Sequence, residues 1–143
     1  MTWTRVVVGI DDSPGSSRAL RWAADEAQDH GAELYVVMAY SIPSPPLSIG
    51  YGQPPWRAED EWRKDADGVL SEALRTTLGD DPQVRVRSEV VEGSPAKALI
   101  DASDGADLLV VGTRGHGGFA GMLLGSVSQH VTAHAACTVV VVR

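Results

Sequence analysis

The stretch that decides the fold, ADLLVVGTRGHGGFAGMLLGSVSQHV, covers residues 106–131. It begins with a short apolar run that predicts a buried strand, passes through a glycine-rich segment, and continues as a helical pattern from Ser126. Glycine lets the backbone approach an oxygen closely, and the unpaired N–H groups of a helix N-terminus add donors and partial positive charge. A strand, a glycine-rich loop and a helix start in this order predict a cradle for nucleotide phosphates.

Two familiar nucleotide motifs fit this stretch poorly. The P-loop pattern needs a lysine beside its last glycine, and the chain has no lysine after Lys97. Residues 115–120 satisfy GxGxxG/A formally, but no Asp or Glu follows Asp107 to hold a ribose hydroxyl. The P-loop is therefore excluded and the dinucleotide motif is weak. A tight structural turn without a ligand is a further alternative.

The glycine spacing resembles the nucleotide-binding signature of the universal stress protein family, in its ATP-binding branch. Gly112 and Gly115 enclose two residues, nine more lead to Gly125, and Ser126 follows directly. The segments VVVGIDDSPGS, which starts at Val6, and EGSPAKALI, residues 92–100, resemble other parts of the same family. The resemblance covers nearly the whole chain, apart from a variable segment around residues 41–56.

The alternation of strand and helix patterns predicts an α/β fold, which we expect to be a single domain over residues 1–143. The resemblance implies one doubly wound open sheet of five parallel strands, in the order 3-2-1-4-5, with helices on both faces. Strands are expected at residues 5–10, 33–40, 84–91, 108–111 and 138–142, and helices at 14–29, 57–78, 95–102 and 126–135. Ser13-Pro14 and Ser94-Pro95 each pair an N-cap with a proline in the first turn. The alternating third strand is expected at an edge.

The family resemblance also implies a set of site residues at the switch point between strands one and four. Amides near Gly115, Gly125 and Ser126 would hold the phosphates, and the backbone at Ala39 would meet the adenine. Asp11 would accept a hydrogen bond from the ribose or the adenine; the residue pattern alone fits a cap of the following helix equally well, and the resemblance favours the nucleotide. The implied set is Gly9, Ile10, Asp11, Ala39, Gly112, Thr113, Arg114, Gly115, His116, Gly125, Ser126 and Val127.

The implied cofactor is ATP, with Mg²⁺ as an optional companion held by Asp11, Asp12 and the phosphates. No serine, histidine and aspartate set stands in a hydrolase context, so no catalytic residue is predicted. The sequence favours a regulatory ATP-binding protein of the stress response. A slow ATPase or another nucleotide-dependent enzyme is the alternative, and a nucleotide-free dimeric stress protein is the third.

Composition limits the partners. The net charge of −7 argues against binding to nucleic acid or to an anionic membrane surface. No apolar run approaches the ~18 to 20 residues of a membrane span, and no signal-peptide pattern precedes the first strand, so a cytoplasmic location is expected. The single cysteine, Cys137, excludes an internal disulfide and is expected to be packed and inert.

Three further features leave alternatives open. The apolar run Thr138–Val142 predicts a strand that is either buried in the sheet or paired with its copy in a homodimer, and the resemblance favours the dimer. His130 and His134 share a helix face but lack further metal ligands, so packing is expected and metal binding is not. The proline-rich segment at residues 41–55 is read as a surface loop, or as a lid with Tyr40, Tyr51 and Trp56.

Overall fold

The computed structural model describes residues 2–43, 59–113 and 124–143. Within those ranges five strands alternate with four helices. The strands are β1 (Arg5–Ile10), β2 (Glu33–Tyr40), β3 (Val86–Glu92), β4 (Leu108–Gly112) and β5 (Thr138–Val142), and the helices are α1 (Pro14–Asp29), α2 (Glu59–Leu78), α3 (Pro95–Ser103) and α4 (Ser126–His134).

The five strands form one parallel sheet in the order β3-β2-β1-β4-β5. In the central strand β1, Val6 is in register with Leu34 of β2 on one side and with Leu108 of β4 on the other. The expected order and direction are confirmed, and β3 lies at an edge as its alternating pattern predicted. The last strand, β5, lies at the opposite edge and pairs with β4, so it is not enclosed within the sheet.

Hydrophobic side chains cover both faces of the sheet, because successive residues of a strand point in opposite directions. Val6 and Val8 pack with α1 and α2, whereas Val7 packs with Leu99 of α3 and Val131 of α4. These side chains are at most 4% exposed, and each contributes roughly 1.5–3 kcal/mol by burial. The doubly wound arrangement is thus confirmed, with two helices on each face.

The two predicted helix starts have the expected caps. The Ser13 hydroxyl accepts a hydrogen bond from the Ser16 amide at 3.2 Å, and the Ser94 hydroxyl accepts one from the Lys97 amide at 3.4 Å. A proline occupies the first turn of both helices. These caps satisfy N–H groups that the helices cannot pair internally, and they fix where α1 and α3 leave the sheet.

A few expected element ends were wrong by one or two residues. The strand β3 begins at Val86 rather than at residue 84. The backbone bends between residues 81 and 85, where the Gln83 side chain donates a hydrogen bond to the Asp81 carbonyl at 3.3 Å. The helix α4 ends at His134, because Ala135 has an extended backbone with ψ of 148°. None of the described helices is long and apolar enough to cross a membrane.

Candidate functional site

A crevice is formed where the chain leaves β1 and β4 in opposite directions. These two strands are neighbours, with Val8 in register with Val110. After β1 the chain enters α1 on one face of the sheet, and after β4 it leads to α4 on the other face. A reversal of this kind opens a crevice at the carboxyl ends of the strands, which is where open α/β sheets bind ligands.

Gly112 lies close to the backbone of α1 at this crevice. A Cβ atom at Gly112 would lie 3.1 Å from the carbonyl oxygen and 3.2 Å from the carbonyl carbon of Gly15, in the first turn of α1. Backbone atoms of a helix cannot move aside as a flexible side chain can. A side chain at position 112 would therefore need β4 or α1 to shift by a few tenths of an ångström, so the close approach of the two elements favours glycine here.

Three hydrogen bonds close the base of the glycine-rich loop. The Thr113 amide donates to the Val142 carbonyl at 3.0 Å, and the Gly125 amide donates to the Thr113 carbonyl at 2.6 Å. The Ser128 hydroxyl donates to the Gly112 carbonyl at 2.6 Å and lies 3.3 Å from the Thr113 carbonyl. The two ends of the loop are thus held side by side, although they are 12 or more positions apart in sequence.

The Gly125 amide is consequently occupied, although we expected it among the phosphate donors. The first intrahelical bond of α4 is from the Gln129 amide to the Gly125 carbonyl at 3.0 Å. The amides of Ser126, Val127 and Ser128 precede that bond and have no partner within the helix. The N-cap Gly125 makes no side-chain capping bond. The donors that α4 offers therefore begin at Ser126, and Ser126 itself is exposed.

A groove of about 460 Å³ lies between the first turns of α3 and α4. Its lining comprises Ser94, Pro95, Ala96, Lys97 and Ile100 from the α3 side, and Ser126, Val127 and His130 from the α4 side. Two of the predicted site residues, Ser126 and Val127, thus face an open volume beside the crevice. The sequence did not predict the contribution of α3, because nothing in the spacing of its residues places it beside α4.

Asp11 organises the turn between β1 and α1. Its Oδ1 accepts hydrogen bonds from the Ser13 amide at 3.0 Å and from the Ser13 hydroxyl at 2.5 Å, and its own amide donates to the Ser16 hydroxyl at 3.3 Å. Asp12 then adopts a left-handed backbone with φ of 68°. The structure therefore shows the turn-forming role of Asp11, and a contact with a ribose or adenine stays a prediction.

The other predicted residues on β1 and β2 lie at the same end of the sheet. Ala39 is half-buried and in register with Val91, near the carboxyl end of β2. Ile10 is 6% exposed and packs into the core beneath α1 and α2, so its backbone alone can face the crevice. A Cβ at Gly9 would lie 2.5 Å from Leu99 Cδ1, which gives Gly9 a packing role beneath α3.

Arg114, Gly115 and His116 lie outside the described residues, so their predicted contacts with phosphate are not tested. The same holds for Tyr51 and Trp56 of the predicted lid. Of the predicted site, the described part comprises Gly9, Ile10, Asp11, Ala39, Gly112, Thr113, Gly125, Ser126 and Val127, and these residues come from β1, β2, β4 and the start of α4.

The two histidines of α4 do not pack into the core, so that expectation was wrong. His130 and His134 are both exposed, with ring centroids 6.1 Å apart and planes tilted by 38°. Over the part of the chain that the structure describes, no three His, Cys, Asp or Glu residues are grouped to hold a metal ion. Cys137 is half-buried against the core, and burial first, then the nearby Asp107 carboxylate, raises the pKa of its thiol.

A fold with this strand order and a GxxG, nine-residue, GS loop at its switch point defines a class of small α/β proteins. The universal stress protein family model matches residues 2–143, and the chain belongs to this family. The universal stress protein Rv2623 of Mycobacterium tuberculosis is 37% identical, over 96% of this chain and 47% of its own length. A universal stress protein of Mycolicibacterium smegmatis is 38% identical, over 96% of this chain and 45% of its own length. The chain thus spans just under half the length of these curated relatives.

Solved structures of the same family match at full length. A universal stress protein in complex with cAMP is 30% identical, with a TM-score of 0.71, over 100% of this chain and 98% of its own. The universal stress protein of Archaeoglobus fulgidus in complex with dAMP is 25% identical, with a TM-score of 0.69, over 100% of both chains. UspA of Lactobacillus plantarum has a TM-score of 0.78 at 24% identity, over 100% of this chain and 99% of its own, and supports the fold alone.

Proposed function

We propose that this chain is an ATP-binding regulatory protein of the stress response, with the nucleotide at the switch point between β1 and β4. The observation that carries the proposal is the hydrogen bond from the Gly125 amide to the Thr113 carbonyl at 2.6 Å, which holds the start of α4 beside the end of β4, the strand next to β1. Two structurally similar family members bind cAMP and dAMP. An adenine nucleotide is therefore the ligand class that fits both this chain's motif and its relatives.

The polar groups at the crevice are chemically suited to bind an adenine nucleotide. The first-turn amides at Ser126 and Val127, with the Ser126 hydroxyl, would bind phosphate oxygens, and the positive end of the α4 dipole favours an anion there. The backbone near Ala39 would meet the adenine. The Asp11 carboxylate, at the carboxyl end of β1, would accept a hydrogen bond from the ribose or the adenine. A net charge of −7 would otherwise repel ATP, so the loop amides must supply the attraction.

Mg²⁺ would enter together with the nucleotide and would be held largely by its phosphates, not by a set of protein ligands alone. The ion prefers oxygen ligands, keeps several waters, and is commonly held by one or two carboxylates together with substrate phosphates. Asp11 and Asp12 are the carboxylates nearest the crevice along the chain. When bound, the ion would neutralise phosphate charge.

The test is equilibrium binding of ATP, AMP and cAMP by titration calorimetry, with the Gly112→Ala variant beside the wild type. The added methyl would lie 3.1 Å from the Gly15 carbonyl oxygen, so β4 or α1 would shift by a few tenths of an ångström at the crevice, and we expect the affinity for ATP to fall by about tenfold. Gly68 provides the matched control, since it lies in α2 with nothing within 4 Å of an added Cβ. Gly68→Ala is expected to bind ATP like the wild type. No heat at millimolar ATP for the wild type would overturn the proposal.

A slow ATPase is the second candidate, because it would use the same crevice. Phosphate release from Mg·ATP, followed on the same preparations, separates the two functions. A turnover near the enzymatic median of about 10 per second would contradict a purely regulatory role. Release that matches buffer would exclude the enzyme.

The remaining proposals concern the whole chain. We propose that residues 1–143 act as one nucleotide-binding domain, that it forms a homodimer through Thr138–Val142, and that it works in the cytoplasm, where ATP is supplied. The position of β5 at the sheet edge supports the dimer, since Val139 to Val142 are only half-buried there. Exposed apolar edges of this kind tend to pair with another strand.

A further inference from the structure

We propose that Ser128 is a positioning residue that presents the phosphate-binding amides of α4. This inference deepens the proposed function and rests on it. Ser128 is not part of the glycine signature, and it was not among the predicted site residues. Its side chain is 4% exposed, so the residue acts through its hydrogen bonds rather than by meeting a ligand directly.

The hydroxyl of Ser128 joins two elements on opposite sides of the loop. It donates to the Gly112 carbonyl at 2.6 Å, at the end of β4, while Ser128 itself lies in the first turn of α4. The Thr113 carbonyl lies 3.3 Å away. The first turn of α4 is therefore tied by a side chain to the residue at which an added Cβ would meet the backbone of α1.

The amides of Ser126 and Val127, which have no partner within α4, belong to the turn that Ser128 anchors. Their direction relative to Gly112 depends on how firmly this turn is held against β4. The Gly125 amide bond to Thr113 at 2.6 Å holds the backbone at one point, and the Ser128 hydroxyl supplies the second. With both points held, the start of α4 can turn less freely than with one. Loss of the hydroxyl should therefore weaken phosphate binding in particular.

A competing explanation is that Ser128 merely satisfies a buried carbonyl. Ser103 offers a matched control for that role, because it is 0% exposed and its hydroxyl also bridges two backbone groups. It donates to the Ile100 carbonyl at 2.6 Å and accepts from the Ala136 amide at 2.9 Å. Ser103 ends α3 and Ala136 precedes β5, so this bridge lies at the opposite end of the sheet from the crevice.

The experiment compares Ser128→Ala, Ser128→Thr and Ser103→Ala with the wild type. Each protein is titrated with ATP and separately with adenosine, which has no phosphate, and thermal unfolding is recorded without ligand. We expect Ser128→Ala to bind ATP about tenfold more weakly, in line with the loss of one well-aligned buried hydrogen bond. Adenosine affinity should be unchanged. Ser128→Thr keeps the donor and should restore ATP affinity to within about threefold. Ser103→Ala should lower the midpoint of unfolding without changing either affinity.

Several outcomes would overturn the assignment. Ser128 would have only a structural role if a folded Ser128→Ala variant bound ATP as tightly as the wild type. The same would follow if Ser128→Ala lost affinity equally for ATP and adenosine, or if Ser103→Ala lost as much ATP affinity as Ser128→Ala. Should Ser128→Ala not fold, Ser128→Cys keeps the shape with a weaker donor, and its ATP affinity decides in the same way. If the wild type binds no nucleotide, the proposed function itself is wrong. If the wild type and Ser128→Ala bind ATP equally well, the proposed function stands and only the role of Ser128 is wrong.

Discussion

Asp107 is the residue that closes the amino end of the sheet. Its Oδ2 accepts hydrogen bonds from the Thr4 amide at 2.7 Å and from the Arg5 amide at 3.0 Å, and the Asp107 amide donates back to the Arg5 carbonyl. The start of β4 is thereby tied to the start of β1. The Arg5 amide, and then the Thr4 amide, lower the pKa of this carboxyl below its usual range.

This lowered pKa predicts an acid-sensitive part of the stability. The folded carboxylate holds its proton less tightly than the unfolded one, so its contribution is complete above the unfolded pKa, near pH 4, and is lost as the pH falls through the folded pKa. Asp107→Asn should reduce the free energy of unfolding at pH 7 by roughly 1 kcal/mol, a discounted value because water reaches the group. The difference from the wild type should shrink below about pH 4.

Urea unfolding at pH 7 and pH 3 measures both effects. Asp101 is the control, since its carboxylate forms an exposed ion pair with Lys97 at 2.8 Å. Asp101→Asn should change stability little, as is usual for surface pairs. A difference between Asp107→Asn and wild type that is the same at both pH values would contradict the explanation.

The individual contacts of the site were the least predictable part of this protein. The spacing of Gly112, Gly125 and Ser126 indicates a phosphate loop, but spacing carries no information on which amides are already used. The bond from the Gly125 amide to Thr113 and the bond from Ser128 to Gly112 depend on how α4 returns to β4. They are decided by packing, not by local pattern.

Among the elements, the contact between α3 and β1 shows how a helix restricts the size of a residue in the strand beneath it. Gly9 lies in β1 directly beneath Leu99 of α3, and a Cβ added at Gly9 would lie 2.5 Å from Leu99 Cδ1. Gly9→Ala should destabilise the fold by about 1–3 kcal/mol, because Leu99 is 4% exposed and has little room to move. Chemical denaturation gives this free energy directly.

A double-mutant cycle then identifies the cause. In a Leu99→Ala background, the cost of Gly9→Ala should become smaller, since the side chain that it strikes is absent. An unchanged cost would mean that the contact with Leu99 does not explain why glycine occupies position 9.

Element ends were predictable where strong local signals coincide. The strands β1 and β2 match the expected ranges, because their apolar runs end at helix caps or turns. The end of β4 and the start of β3 were predicted less accurately, because Gly112 and Val84 fit a strand and a loop equally well. Val84 packs on the core although it lies outside β3.

At the scale of the whole molecule, the order of the strands came from the family resemblance. Alternating strand and helix patterns indicate a parallel sheet but do not say which strands are neighbours. The register of Val6 with both Leu34 and Leu108 joins residues about a hundred positions apart, and no short-range pattern encodes it.

The proposed homodimer is tested at this scale by changing one edge at a time. Val141→Lys, in β5, should convert a dimer of 15.1 kDa subunits into monomers, because a lysine on an edge strand opposes pairing. Ser88→Lys, on the exposed edge strand β3, should leave the dimer intact. Light scattering after size-exclusion chromatography gives the masses. A wild type that is monomeric, or a dimer that only Ser88→Lys dissociates, would contradict the proposal.

The contact between Gly112 and Gly15 also constrains how this chain can diverge over generations. A side chain at position 112 would place its Cβ 3.1 Å from the helix backbone, so a tolerated replacement needs α1 or β4 to shift by a few tenths of an ångström. Position 68, with open space around it, is free to vary singly. Descendants should therefore keep glycine at 112 or change there together with residues near position 15, and a library of random substitutions selected only for folding would show the same linkage.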